Sequence, residues 1–298
     1  MSIRVGTASW TDKTLLACGR FYPPGVSGAR DRLRFYASRF PMVEVDSSHY
    51  ALPDPHVAYH WARSTPPGFL FNVKAFRLFT GHATPPAALP ADIRRALGAG
   101  AAGPALYWPD VPAELRGELW RRFELALEPL RMAGKLGAVH FQYAPGVRPG
   151  RGRMLLDDAA RAMREHTMAV EFRHASWFAG PQADATLALL RELNAVHVVV
   201  DCPQGPANTV PAVWAATRPD LAVVRLHGRN LEAWNRPAAA SSGRFVYEYT
   251  PAELDELAAQ VRRLARAVAS IHVLFNTNFE DQGMRNAAAF RTALDAPR

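Results

Sequence analysis

Lysine is nearly missing from this chain. Only Lys13, Lys74 and Lys135 occur among 298 residues, although the formal charge is +8. Arginine supplies the positive charge, so a lysine at the end of a strand stands out. Cysteine is almost as scarce, with Cys18 and Cys202 alone. Two lone thiols exclude a cysteine-rich zinc site and suit a reducing compartment. No apolar run approaches the roughly 20 residues needed to cross a bilayer. The amino terminus enters a strand-like run at Ile3-Arg4-Val5, without the ordered segments of a secretory signal. A cytoplasmic protein with no membrane partner is the expectation.

Several short motifs are absent as well. No G-x-G-x-x-G follows the first strand-like run, which weakens a dinucleotide-binding reading. There is no G-x-S-x-G for a serine nucleophile and no H-E-x-x-H for zinc. Cys202 has no recognisable local motif. No organic cofactor is implied. A divalent metal on scattered His and carboxylate ligands (His49, His82, His140, His174 and His227 are candidates) is not favoured, because nearby Arg and Lys oppose a cation.

Hydrophobic residues make up 49% of the chain and charged residues 21%, a globular balance that supports a large core. Eight short apolar runs recur: Ile3 to Ala8, Met42 to Ser47, Phe69 to Ala75, Leu136 to Tyr143, Met168 to Arg173, Val196 to Cys202, Leu221 to His227 and Ile271 to Thr277. They are Val-rich and often continuous, as expected of parallel strands covered on both faces. Amphipathic helical segments separate them: Asp31 to Phe40, His56 to Ser64, Pro112 to Ala133, Leu155 to Glu165, Ala183 to Leu193, Val210 to Thr217, Pro251 to Ala269 and Met284 to Leu294. Repeated strand-helix alternation predicts an α/β fold, a (β/α)8 TIM-barrel-like single domain spanning 1–298. A doubly wound open sheet is the alternative. An Ala/Pro/Gly-rich insertion at about 77–112 follows the third strand, either a lid or a passive loop.

The strand ends carry the polar chemistry. Glu171 and Arg173 leave the fifth strand on one face, and two opposite charges there are costly unless paired or used. Reading one parity along the other strands gives Glu44, Asp46 and Ser48, then Asn72 and Lys74, His140 and Gln142, Arg225 and His227, Asn276 and Asn278. The sixth strand ends in Asp201. A purely structural ion-pair network is one explanation; a ligand site containing such pairs is the other. Lys74, Arg173, Arg225 and Asn276 suit an anionic small molecule, since the guanidinium fork matches phosphate and carboxylate. Glu171 or Asp46 is the candidate base and His227 the proton shuttle. Paired carboxylates could also serve a glycosidase, although adjacent cations keep them ionised. His174 and Trp177 are expected in the loop above this ring, with Asp201 as a further substrate contact. The net charge leaves nucleic acid open as a partner.

These residues also form a recognisable set. Val5-Gly6-Thr7-Ala8-Ser9-Trp10, Phe21-Tyr22-Pro23, Val43 through Tyr50, Thr65-Pro66-Pro67-Gly68-Phe69, Val73-Lys74-Ala75, Glu171 to Phe178, Arg225 through Asn230 and Phe275-Asn276-Thr277 run in order along the chain. The sequence resembles the YecE-like family, the domain of unknown function 72. The resemblance implies a TIM-barrel-like domain and no established reaction. The chain departs from the family's usual pattern at Asp46 (more often Asn), at Ala175 (more often Pro) and at Asn276-Thr277-Asn278-Phe279-Glu280. Its Thr80-Gly81-His82 matches a family Thr-His pair only loosely. The expectation is therefore an uncharacterised barrel protein, with a hydrolase or lyase acting on a phosphorylated or otherwise anionic substrate as its leading reading. A phosphodiester-cleaving or repair-related protein and a non-catalytic anion binder are the alternatives.

Overall fold

Eight parallel strands close into a barrel in chain order in the computed structural model, which describes residues 1–101, 103–235 and 241–296. They are β1 (Ser2–Thr7), β2 (Met42–Val45), β3 (Leu70–Lys74), β4 (Leu136–Gln142), β5 (Met168–Glu171), β6 (Val196–Asp201), β7 (Leu221–Leu226) and β8 (Ser270–Phe275). Because β1 pairs with both β2 and β8, the sheet has no open edge and the doubly wound alternative falls. The helices are α1 (Lys13–Cys18), α2 (Ala29–Ala37), α3 (Pro55–Arg63), α4 (Ala91–Leu97), α5 (Ala113–Met132), α6 (Arg151–Ala162), α7 (Gln182–Glu192), α8 (Leu231–Asn235), α9 (Pro251–Leu264) and α10 (Gln282–Asp295). The carboxyl-terminal pair of residues, 297 and 298, lies outside the described residues.

Local chemistry explains the boundaries. Asp54 accepts from the His56 N–H and Pro55 opens α3, a start that needs no backbone donor at its first position. Thr250 and Glu253 form a reciprocal capping box ahead of Pro251 in α9. Along α5, Leu119, Phe123, Ala126, Leu127 and Leu130 are buried, the spacing of one helical face turned to the barrel. Every residue of β6 is buried, as a strand covered on both faces requires.

One expected helix is absent. Residues 210–217 are irregular rather than helical between β6 and β7. Pro211 removes one backbone donor, and His197 replaces the helical pattern: its Nε2–H donates to the Val213 carbonyl at 3.0 Å. The His197 N–H also donates to Thr217 Oγ1 at 2.8 Å. His197 therefore faces outward and packs under this segment, not on the barrel floor. The segment expected as an insertion, 77–112, holds short 3-10 turns, α4 and a Thr84–Leu106 bridge; residue 102 within it lies outside the described residues.

Register decides which side chains enter the barrel. Parallel partners share a face, and the pairs Glu44↔Asn72, Lys74↔His140 and Gln142↔Glu171 put the expected polar set inside. Gly6 also points inward, where a Cβ would lie 2.3 Å from the Met42 carbonyl oxygen. The obstacle is backbone and cannot rotate away. Gly6→Ala is expected to cost about 3 kcal/mol through overpacking, measured by urea denaturation; an unchanged midpoint would contradict this packing.

Candidate functional site

Three buried charged residues, Glu44, Glu171 and Arg225, form the floor of the barrel mouth together with two histidines. Arg225 is fully buried; its Nη1 donates to Glu171 Oε2 at 2.6 Å and its Nη2 to Glu44 Oε1 at 2.6 Å. The His140 ring lies between the same two carboxylates, 2.9 Å from Glu44 Oε2 and 3.3 Å from Glu171 Oε2. Glu171 Oε1 takes the remaining contacts, from Arg173 Nη1 at 3.1 Å and His227 Nε2 at 3.2 Å. Asn276 Nδ2 donates to His227 Nδ1 at 2.8 Å, which leaves the imidazole proton on Nε2, facing Glu171.

Burial alone would raise the Glu44 carboxyl pKa, but Arg225 and His140 outweigh it and hold it near 2. Burial opposes ionisation of Glu171 in the same way, and Arg225 with His227 brings its pKa well below the usual carboxylate range. His227 goes the other way. Burial pushes its pKa down to about 3 despite the attraction of Glu171, so it is neutral at ordinary pH.

Above this floor lies a cavity of about 510 Å³. Among the described residues, Lys74, Arg77, Arg173 and Arg244 contribute four cations to its lining, against the single carboxylate of Asp46. Lys74 Nζ donates to Asp46 Oδ1 at 2.8 Å, and Ser48 Oγ anchors the strand end by donating to the Lys74 carbonyl at 2.6 Å. The Arg173 guanidinium lies 4.5 Å from the Trp234 ring centre, a cation–π contact that fixes its plane. Arg173 Nε and Arg77 Nε are buried without a hydrogen-bond partner among the described residues.

Two histidines complete the wall. His49 Nδ1–H donates to the Ala75 carbonyl at 3.3 Å. Thr80 Oγ1 donates to the Arg77 carbonyl at 3.1 Å, so it accepts from His82 Nδ1–H at 2.9 Å. Both rings therefore carry an unprotonated Nε2 acceptor. Burial, then Lys74, keeps His49 well below its ordinary pKa and takes His82 to about 3. The rings meet edge to face, with centroids 4.9 Å apart. Among the described residues no group of three or more His, Cys, Asp or Glu is arranged to hold a metal.

The expected site residues separate into three places. Asp46, Lys74, Arg173 and Asn276 reach the cavity. Glu171, Arg225 and His227 lie beneath it, fully enclosed and bonded to one another in the floor, with Arg225 Nε alone among the polar atoms of these three buried without a partner among the described residues. Asp201, Trp177 and His174 are outside it. The register pairs Val200 with Arg225 and Asp201 with Leu226, so Asp201 turns outward. There it binds Arg229 at 2.9 Å and accepts from the Tyr249 hydroxyl at 2.7 Å. Trp177 stacks on Phe172 with centroids 3.9 Å apart and donates Nε1–H to the Val147 carbonyl. It belongs to the core. His174 caps the turn after β5 by accepting from the Ser176 N–H at 3.1 Å.

Arg77, Asn208, Arg244 and Phe245 line the cavity without having been anticipated. Arg77 had a signal, standing three residues after Lys74 in the same strand-to-helix loop. Arg244 and Phe245 had none, because they reach the mouth only after α8 turns the chain back. A larger, more open groove of about 990 Å³ lies between α5 and α6. It carries both signs of charge, with Arg131 paired to Glu128 and Arg161 to Asp158. No helix among the described residues is long and apolar enough to cross a membrane.

Comparison with known proteins agrees with this architecture. The family described as "Protein of unknown function DUF72" matches residues 4–298. The UPF0759 protein YunF of Bacillus subtilis (strain 168) is 28% identical over 297 residues, covering 98% of this chain and 95% of that one. A DUF72 family protein from Enterococcus faecalis V583 superposes with a TM-score of 0.79 at 24% identity, covering 99% of this chain and 96% of that one. One from Thermotoga maritima MSB8 gives 0.76 at 25% identity, covering 99% and 100%.

Proposed function

The chain belongs to the DUF72 family of proteins of unknown function, and on that premise we propose that it is an enzyme of the hydrolase or lyase class. Its substrate is phosphorylated or otherwise anionic and sits in the barrel mouth. The observation that carries this reading is the charge of the cavity, four cations against one carboxylate among the described residues. Active sites of this fold gather at that end of the barrel.

Lys74 and Arg173 bind the anion and stabilise charge that develops on it. Asp46 is the base, because it alone among the carboxylates of the described residues reaches the cavity. Glu171, Arg225 and His227 act from below: Glu171 holds Arg173, and His227 orients Asn276. Saturation of Glu171 also favours a second reading, a non-catalytic binder of an anionic metabolite, since a carboxylate with both oxygens engaged is a poor base.

A panel of phosphate monoesters and carboxylates tests the first reading, with products followed by phosphorus NMR and mass spectrometry. Turnover of at least one compound is expected, lost in Lys74→Ala. Binding without turnover of any compound would replace it with the second reading, and absence of both would refute both.

A further inference from the structure

The four cations of the mouth are not equivalent. Lys74 is neutralised by Asp46 at 2.8 Å and Arg173 by Glu171 at 3.1 Å. Arg77 and Arg244 have no carboxylate partner among the described residues, although both line the same cavity. They come from different loops: Arg77 opens the 3-10 turn after β3, and Arg244 closes the 3-10 turn that follows α8. A charge already balanced by the protein gains less from a ligand anion than a charge left over.

The rest of the lining is rich in uncharged hydrogen-bonding groups. Gln142, Asn208, Asn276 and Asn278 supply four amides, each able to donate and accept. Asn278 Oδ1 is buried without a partner among the described residues. His49 and His82 add two Nε2 acceptors, since their Nδ1 protons are spent on Ala75 and Thr80. Acceptors facing a cavity call for a ligand with donors. Carboxylates and inorganic phosphate at neutral pH supply few; hydroxyl groups supply both donor and acceptor. Tyr50, Trp234 and Phe245 present aromatic surface beside these groups, which suits the apolar face of a sugar ring. A cavity of about 510 Å³ is in the range of small-ligand sites.

We propose that the mouth takes a phosphorylated sugar or comparable polyol phosphate. Arg77 and Arg244 hold the phosphate, and the amides and the two imidazoles read the hydroxyl groups. This rests on the anionic-substrate reading above and deepens it.

Calorimetric titration with glucose phosphate, ribose phosphate, phenyl phosphate and inorganic phosphate tests the proposal. At least one sugar phosphate is expected to bind about tenfold or more tightly than phenyl phosphate and than inorganic phosphate, a gain of one or two good hydrogen bonds. The Arg77→Gln/Arg244→Gln double variant is expected to lose about tenfold or more of that affinity. Neither arginine holds an ion pair among the described residues, and unchanged thermal melting would show that the variant is folded. Phenyl phosphate or inorganic phosphate binding as tightly as both sugar phosphates would overturn the hydroxyl readout while leaving the anionic site intact. Undiminished sugar-phosphate binding by the folded double variant would overturn the phosphate placement. If no anion bound the wild-type protein, the anionic-substrate reading itself would fall, and this inference with it.

Discussion

Arg225→Met is expected to destabilise the protein by about 3–5 kcal/mol at neutral pH, the cost of removing one partner from a buried charge network. Arg225 donates to both Glu44 and Glu171, and all three side chains are fully enclosed. Without it two carboxylates remain in the barrel with His140 as their shared neighbour. That loss is a large share of the roughly 5–15 kcal/mol that holds a typical domain together. Adding Glu44→Gln and Glu171→Gln to Arg225→Met should recover much of the loss, because the cost lies in stranded charge. If the single variant unfolded within 1 kcal/mol of the wild type (an estimate well under the range above), the network would not be structural.

The same network sets an acid limit with a definite sign. The folded-state pKa of Glu44 is near 2, below its ordinary value. A depressed carboxylate contributes stability above its unfolded pKa of about 4.3 and loses it as pH falls through the folded value. Wild-type stability should therefore decline between about pH 4.3 and pH 2 on this account. In Arg225→Met the largest attraction opposing burial is gone, so the carboxyls hold protons in the folded state at higher pH than in the wild type. The gap between variant and wild type should shrink as pH is lowered. Urea titrations at neutral and acid pH measure it, and a gap that widened in acid would contradict the assignment.

Asp46→Asn carries the second large effect, on chemistry instead of stability. The substitution keeps the shape of the side chain and removes the one carboxylate that lines the cavity among the described residues. Losing a positioned general base typically costs about 10²–10⁴ in rate. Anion binding should hold or tighten, because Lys74 loses its competing partner. The expected signature is thus a fall in kcat with KM unchanged or lower, on whichever panel compound the wild type turns over. A variant with full kcat would remove Asp46 from the chemistry. Weakened binding with kcat intact would make it a binding group.

The fold was legible because its signal is redundant. Each of the eight strand-like runs lies where a barrel strand lies, since a strand buried on both faces must be apolar along its length. The helix expected at 210–217 failed because its apolar residues serve an irregular segment, held by His197 from the outer face of β6. That contact spans sequence too far apart for periodicity to reveal.

The site was legible only strand by strand. Glu44, Lys74, His140, Glu171 and Arg225 share the inward face because alternation along each strand is strict. Asp201 broke the pattern, since the parity of β6 had to be taken from a single terminal residue, and the register with β7 reverses it. Depth was the other unreadable quantity. Glu171 and Arg173 are two residues apart on one face, yet one is sealed in the floor and the other lines the cavity. Spacing says which way a side chain points, not how much of the ring stands above it. Trp177 illustrates the same gap, because an aromatic after a strand end can equally well stack on the core, as it does on Phe172.

The most direct test of the account is a crystal structure of the protein soaked with a sugar phosphate. The expected result is ligand density in the mouth of the barrel, with the phosphate within hydrogen-bond distance of Arg77 or Arg244. Ligand bound instead in the groove between α5 and α6, with none in the mouth, would contradict it.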